Sequence, residues 1–124
     1  VKNSKIVVLG FSYKENVGDA RETPVEHLIC ELKKAKADIT IVDPYVEGDF
    51  IKSFGVKVEC DPYKALKNAD ALVLMTGHQK FKELDLEKIK KIMRIPILID
   101  GRRIYDKENV IKLGFNYKGV GAGY

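Results

Sequence analysis

Basic side chains follow the apolar segments of this chain at positions that suit an anion-binding site. Lys14 and Arg21 come after the first apolar run, and Arg102 and Arg103 come after the run at residues 96–99. An arginine fork can pair with two phosphate oxygens at once, and a lysine ammonium acts as a point charge. Thr23-Pro24 is a typical helix start, and the unpaired N–H groups of a helix N-terminus attract anions. The pattern therefore predicts a phosphorylated or otherwise anionic ligand.

Other polar residues stand at the matching ends of the apolar runs: Ser12, Tyr13, Asp43, Thr76, His78 and Asp100. In a parallel sheet these ends meet at one edge, and open α/β folds bind their ligands there. Each residue also has a plainer interpretation. Exposed arginines are commonly just solvated, Arg21 could pair with Asp19 or Glu22, and an aspartate before glycine is typical of a turn.

The apolar runs predict buried strands, because they are short and rich in β-branched residues. They lie at residues 5–9, 39–42, 56–58, 71–75, 96–99 and 115–118. Helical segments separate them, and Asp61, Asp85 and Asp106 are the predicted N-caps of three helices. Strands that alternate with helices favour right-handed crossovers and a mainly parallel sheet. The predicted fold is α/β: a Rossmann-like, three-layer α/β/α domain with five to six strands.

The length and charge of the chain narrow the possible partners. Its 124 residues suffice for one domain. The net charge of +4 comes from 22 basic and 18 acidic residues that are mostly interspersed, whereas nucleic-acid binders usually carry a basic stripe. The basic run at residues 88–91 fits the solvated face of an amphipathic helix. We expect no nucleic-acid partner, and no apolar run is long enough to predict a membrane partner.

The cysteines suggest a cellular compartment, and the first residues suggest how the sequence relates to the whole protein. Cys30 and Cys60 form no CxxC motif, so we predict neither a disulfide framework nor a zinc site. Reduced, structural cysteines would suit a cytoplasmic protein. The chain begins at Val1 without methionine and enters a strand almost at once, which suggests a piece of a longer protein.

Several catalytic signatures are missing from the sequence. Gly10 stands alone after the first strand, where a dinucleotide fingerprint would have GxGxxG. The chain has no GxxxxGK[ST] phosphate loop, and no cysteine or serine stands beside a histidine as an evident nucleophile. The residues alone thus predict an anion-binding α/β domain with no catalytic residue and no metal site of its own.

Seven segments together resemble the signatures of the UDP-glucose/GDP-mannose dehydrogenase family. They match, in order and spacing, the motifs of its C-terminal UDP-sugar-binding domain over nearly the whole chain. The segments are GFSYK at 10–14 with GDARETP at 18–24, DPY at 43–45, ADALVLMT at 69–76, F..LD at 81–85, DGR at 100–102 and YKGVG at 117–121. Position 18 departs from the family pattern, since Gly18 stands where an aspartate is usual.

The resemblance implies a role within a larger enzyme. Such enzymes oxidise the C6 alcohol of a UDP-hexose to a carboxylate with two NAD⁺ and a catalytic cysteine, in polysaccharide biosynthesis. Residues 1–124 would be the UDP-sugar-binding domain, with the N-terminal NAD-binding and central domains absent, so the isolated chain is expected to be inactive. The full-length enzyme would be a homo-oligomer. Neither cysteine of this chain matches the catalytic position.

The resemblance also assigns residues and a substrate. Tyr13, Lys14, Thr76 and Arg102 would bind the UDP-sugar, and Arg21 would face the NAD cofactor. Thr76-Gly77-His78 replaces the Thr-Glu-Trp usual in UDP-glucose dehydrogenases, so UDP-N-acetyl-D-mannosamine is the preferred substrate. The alternatives are the same domain of a UDP-glucose 6-dehydrogenase, or a non-catalytic nucleotide-binding module.

Overall fold

Six strands form one sheet in the computed structural model, which describes residues 4–11, 24–102 and 104–119. The strands are β1 (Lys5–Leu9), β2 (Asp38–Val42), β3 (Lys57–Val58), β4 (Ala71–Leu74), β5 (Ile97–Asp100) and β6 (Asn116–Gly119). All five neighbouring pairs are parallel. Their spatial order is β3-β2-β1-β4-β5-β6, the order of the doubly wound Rossmann fold. The predicted fold class is therefore confirmed.

Helices connect the strands and cover the sheet. They are α1 (Pro24–Lys34), α2 (Gly48–Lys52), α3 (Pro62–Leu66), α4 (Gln79–Lys82), α5 (Leu86–Ile92) and α6 (Lys107–Lys112). The predicted caps are confirmed, since Asp61, Asp85 and Asp106 each accept a hydrogen bond from a first-turn backbone N–H. The sequence did not predict α4, because four residues are too few to show a helical periodicity.

The core lies in two layers, one on each face of the sheet. Val7 and Leu9 of β1 pack with buried residues of α3, α5 and α6. Ile6 and Val8, which alternate with them, pack with buried residues of α1 and α2. Successive side chains of a strand point to opposite faces, so a strand with both faces covered must be apolar throughout. This requirement explains why β1 and β4 are continuous apolar runs.

A buried carboxylate joins β1 and β4 at their amino ends. Asp70 accepts a hydrogen bond from the Lys5 backbone N–H at 2.8 Å, and it also pairs with the Arg94 guanidinium. The Asp70 side chain is 9% exposed, whereas that of Arg94 is 62% exposed. The hydrogen bond from Arg94, followed by that from Lys5, holds the pKa of Asp70 below its usual value, against the opposing effect of burial.

Replacing Asp70 by asparagine should lower the unfolding free energy by about 0.5–1 kcal/mol near neutral pH, because the exposed partner limits the gain. The pKa of Asp70 is lower in the folded chain than in the unfolded chain. Its contribution is therefore present above the unfolded pKa of about 4 and is lost as the pH falls through the folded pKa. Urea unfolding of both proteins at about pH 7 and about pH 2.5 measures this difference. A difference that does not change with pH would show that the charge is not what stabilises the fold.

The two cysteines are free, and both are exposed rather than packed in the core. Cys30 lies on α1, and Cys60 follows β3 by two residues. The expectation that these residues have a structural packing role is therefore wrong. Among the helices that the structure describes, none combines the length and the apolar character needed to cross a membrane.

Candidate functional site

The carboxyl ends of β1 and β4 lie side by side where the strand order reverses. β1 pairs with β2 on one side and with β4 on the other. The chain therefore builds β2 and β3 on one side of β1, and β4, β5 and β6 on the other. In open α/β sheets the reversal leaves a crevice in which ligands bind. We call the residues that follow β1, β2, β4 and β5 the carboxyl edge. Gly10, Asp43, Thr76 and Arg102 all belong to it.

Gly10 allows the turns after β1 and β4 to approach each other closely. Its φ is +104°, a value that side chains rarely tolerate. A Cβ at this position would lie 2.8 Å from the backbone nitrogen of Thr76 and closer still to its side chain. The Gly10 N–H donates to the Val42 carbonyl at 2.7 Å, so the turn is also tied to β2. Glycine is therefore required here by both conformation and space.

Asp43 ties together the turns that follow three strands. Its Oδ2 accepts from the Phe11 N–H at 2.7 Å and lies 3.1 Å from Nε2 of His78. Its Oδ1 accepts from the Tyr45 N–H at 2.8 Å. The side chains of Asp43 and His78 are both 0% exposed. A buried carboxylate is costly unless it is paired and hydrogen-bonded, and this one has partners on both oxygens.

Aromatic rings enclose the Asp43–His78 pair. The His78 ring lies 4.7 Å from the Tyr45 ring and 5.4 Å from the Phe81 ring, measured between centroids. Phe11 is fully buried, and its ring lies 5.2 Å from that of Phe54. Phe11 is thus held twice, by its ring and by the bond from its N–H to Asp43.

Asp100 organises the other half of the carboxyl edge. Its Oδ1 accepts from the N–H groups of Arg102 at 3.1 Å and Ile104 at 3.3 Å. Its Oδ2 accepts from the Tyr105 N–H at 3.0 Å and the Tyr117 hydroxyl at 3.2 Å. Asp100 is 0% exposed, so these four bonds replace the water that the carboxylate would otherwise bind. Asp100 is the last residue of β5, and it links the turn after β5 to β6.

Tyr105 continues this network into the core. Its hydroxyl donates to the Phe81 carbonyl at 2.7 Å. Burial, assisted by the nearby Asp100 charge, raises the pKa of Tyr105 well above its usual value. The hydroxyl therefore remains a protonated donor throughout the physiological pH range and links the turn after β5 to α4.

Arg102 is held at the carboxyl ends of β4 and β5. Its Nε–H donates to the Met75 carbonyl at 3.2 Å, while its backbone N–H is bound by Asp100. Gly101 precedes it and donates to the Leu74 carbonyl at 2.8 Å. A Cβ on Gly101 would lie 2.7 Å from that same oxygen. The glycine lets the turn approach β4, and this approach brings the arginine to the carboxyl end of β4.

The structure places two of the five predicted ligand-binding residues. Arg102 is exposed at the carboxyl edge, and Thr76 is fully buried there beside Gly10. Tyr13, Lys14 and Arg21 lie outside the described residues, as does Arg103. Their roles, like the ligand contacts of Thr76 and Arg102, stay predictions.

Sequence reasoning did not assign the roles of the buried pair Asp43 and His78, and it treated Asp100 as an ordinary turn residue. The available signal was an aspartate at the end of an apolar strand and immediately before a turn. That signal does not show which sequence-distant N–H groups the carboxylate accepts from. Within the described ranges, no group of three or more His, Cys, Asp or Glu side chains is placed to hold a metal ion.

Residues 7–107 match the model of the UDP-glucose/GDP-mannose dehydrogenase family, UDP binding domain. A similar relative is the UDP-glucose 6-dehydrogenase of Rhizobium meliloti, 38% identical over 122 residues, which cover 98% of this chain and 28% of the relative. The UDP-glucose 6-dehydrogenase TuaD of Bacillus subtilis is 32% identical over 123 residues, which cover 98% of this chain and 27% of TuaD. The chain thus spans little more than a quarter of these relatives.

Solved structures share the fold closely. The UDP-D-ManNAc dehydrogenase of Pyrococcus horikoshii superposes with a TM-score of 0.80 at 33% identity, over 98% of this chain and 26% of that one. The NDP-N-acetyl-D-galactosaminuronic acid dehydrogenase of Methanosarcina mazei Go1 superposes with a TM-score of 0.86 at 33% identity, over 96% of this chain and 25% of that one.

Proposed function

Because this chain belongs to the UDP-glucose/GDP-mannose dehydrogenase family as its UDP-binding domain, we propose that it binds the substrate of an NAD-dependent UDP-sugar 6-dehydrogenase. The observation that carries the proposal is the placement of Arg102 at the carboxyl ends of β4 and β5, on a turn fixed by Asp100 and Gly101. In this proposal residues 1–124 are the C-terminal domain of a longer enzyme, which is cytoplasmic and homo-oligomeric. The two free thiols suit a reducing compartment.

The proposed reaction oxidises the C6 alcohol of the sugar to a carboxylate. NAD⁺ would be the hydride acceptor, and two NAD⁺ would be reduced for each alcohol oxidised. Water would provide the second carboxylate oxygen. Gly10 stands alone where a GxGxxG fingerprint would be. We therefore place NAD mainly in another domain, with Arg21 of this chain facing it. Cys30 and Cys60 take no part in the chemistry, and the residues of this chain bind and orient the UDP portion.

Arg102 would bind the diphosphate of the substrate. The bond from its Nε–H to the Met75 carbonyl orients the guanidinium plane. The guanidinium would meet the phosphate oxygens, with two parallel bonds as the favoured geometry. Tyr13 and Lys14 would add a ring and a positive charge to the same site. Thr76, which is buried beside Gly10, would act on the uridine through the shape of its turn.

UDP-N-acetyl-D-mannosamine is the substrate that we propose. The support is the Thr76-Gly77-His78 sequence and the likeness to the Pyrococcus horikoshii UDP-D-ManNAc dehydrogenase. UDP-glucose is the second candidate, because the Rhizobium meliloti relative at 38% identity is a UDP-glucose 6-dehydrogenase. His78 is fully buried, so its influence on the choice of sugar would be exerted through the residues that it contacts.

Calorimetric titration of the chain with UDP, UDP-N-acetyl-D-mannosamine, UDP-glucose and NAD⁺ tests the proposal. We expect binding of the UDP compounds, no binding of NAD⁺, and no NADH formation by the isolated chain when a UDP-sugar and NAD⁺ are supplied together. If UDP does not bind, the same titration of the full-length protein decides whether the site needs its other domains. Absence of UDP binding there as well would refute the proposal.

Arg102→Ala is expected to weaken UDP binding by about 1.5–3 kcal/mol, the range for a hydrogen bond to a charged group. Arg102→Lys should recover only part of this loss, since it keeps the charge but not the fork. Lys91→Ala serves as the matched control, because Lys91 is an exposed cation on α5 that pairs with Glu87 at 3.9 Å. Calorimetry measures all three variants. Equal UDP affinity in Arg102→Ala and wild type would show that this arginine faces away from the ligand.

A further inference from the structure

The buried Asp43–His78 pair connects the turns that surround the proposed nucleotide site. Both side chains are 0% exposed, and the two residues are joined by a 3.1 Å contact across 35 positions of sequence. The pair itself connects β2 with β4. Through the Phe11 N–H at 2.7 Å it also connects with β1. These three strands form the switch point and one flank of its crevice.

We propose that Asp43 and His78 are a positioning pair, which sets the geometry of the carboxyl edge for the nucleotide without touching it. This inference rests on the proposed function, because it concerns the UDP site. Phe11 stands three positions before Lys14 in the sequence. The N–H bond to Asp43 and the buried Phe11 ring together fix the backbone at Phe11, directly after β1.

The two oxygens of Asp43 allow one side chain to serve three turns. Oδ2 receives both the Phe11 N–H and the His78 ring nitrogen, while Oδ1 receives the Tyr45 N–H. A carboxylate has acceptor sites on both oxygens, whereas an amide has one oxygen and a nitrogen that only donates. Asparagine has almost the same shape as aspartate. In Asp43→Asn, however, the amide NH₂ must face the backbone N–H of either Phe11 or Tyr45, and two donors cannot bond to each other. The substitution therefore perturbs the bonding of the turns while it preserves the packing volume.

The opposite edge of the sheet contains a matched control. Asp70 also accepts from a β1 backbone N–H, that of Lys5, and also pairs with a basic side chain, that of Arg94. It joins β1 to β4 at their amino ends, on the far side from the carboxyl edge. Asp70→Asn thus tests the general cost of disturbing such a carboxylate, without any change at the proposed nucleotide site.

The test compares wild type, Asp43→Asn and Asp70→Asn in the full-length protein. Calorimetry measures Kd for UDP and for NAD⁺, and urea unfolding measures stability. We expect Asp43→Asn to weaken UDP binding roughly 10-fold, the effect of about 1.4 kcal/mol. NAD⁺ affinity should stay unchanged, because NAD lies mainly in another domain. Asp70→Asn should lose stability but keep wild-type affinity for UDP. General damage to the fold would instead lower the affinity for both UDP and NAD⁺, or lower the affinity for UDP equally in Asp43→Asn and Asp70→Asn.

A second variant keeps the inference open to refutation if Asp43→Asn does not fold. His78→Phe keeps a ring between Tyr45 and Phe81 and leaves the carboxylate with its two backbone donors, so the expected loss of UDP affinity is smaller, about threefold. UDP affinity within about twofold of wild type in every folded variant of the pair would overturn the positioning role. A wild-type protein that binds no UDP would overturn the proposed function itself, and the two failures are therefore distinguishable.

Discussion

Gly10→Ala is expected to destabilise the protein by about 2–5 kcal/mol, the sum of a strained backbone and an overpacked contact. The φ of +104° opposes any side chain, and the new Cβ would lie 2.8 Å from the Thr76 backbone nitrogen. The turn after β4 cannot yield easily, because the Met75 N–H bonds to the Leu9 carbonyl at 3.0 Å. Relief of the overlap must therefore separate β1 from β4 at the switch point. We expect weaker UDP binding to accompany the loss of stability.

Gly114→Ala is the matched control for this substitution. Gly114 has a similar φ of +101°, but a Cβ there would meet only the far end of the flexible Lys90 side chain. This variant should show the conformational cost alone, about 1–2 kcal/mol. Urea unfolding of both variants and calorimetry with UDP separate the two contributions. Equal losses of stability in the two variants would mean that the Thr76 contact adds nothing.

Asp100→Ala is expected to cost about 3 kcal/mol or more, because it removes the acceptor of four donors at once. The Tyr105 N–H is buried and has no solvent to replace the lost oxygen, and the Tyr117 hydroxyl must find a new partner. The turn that carries Arg102 would lose two of its backbone anchors, at Arg102 and Ile104. UDP affinity should therefore fall together with stability, although the Arg102 side chain itself is unchanged.

Two milder substitutions check this interpretation of Asp100. Asp100→Asn keeps one oxygen for Arg102 and Ile104 but presents a donor to Tyr105, so it should lie between alanine and wild type. Tyr117→Phe removes only the hydroxyl donor and should cost about 1 kcal/mol. Urea unfolding measures stability in each variant, and calorimetry measures UDP affinity. Full stability in Asp100→Ala would show that the turn does not depend on the carboxylate.

Local patterns were sufficient to predict most of the architecture. The strands at residues 5–9, 71–75 and 96–99 were found within one residue at each end, because a strand covered on both faces must be apolar throughout. The caps Asp61, Asp85 and Asp106 were found because a cap acts on its own first turn. The helix α4 was missed because one turn has no periodicity to detect.

The candidate site was also predictable only in part. The sequence alone was enough to place Arg102, Thr76, Asp43 and His78 at one sheet edge, since parallel strands end on the same side. It could not show that Thr76 and His78 are fully buried, or that Cys30 and Cys60 are exposed. Burial depends on which helices cover a position, and those helices come from distant parts of the chain.

The α/β class, the family, and the basic and polar character of the carboxyl edge can be predicted from the amino-acid sequence without a structure. These properties follow from local periodicity, local capping and short motifs. That Asp43 and Asp100 are the buried acceptors on which the turns of that edge depend is evident only from the folded chain. Asp43 meets Phe11 across 32 positions and His78 across 35. Such partners are brought within hydrogen-bond distance by the packing of the whole sheet, and no local pattern encodes that distance.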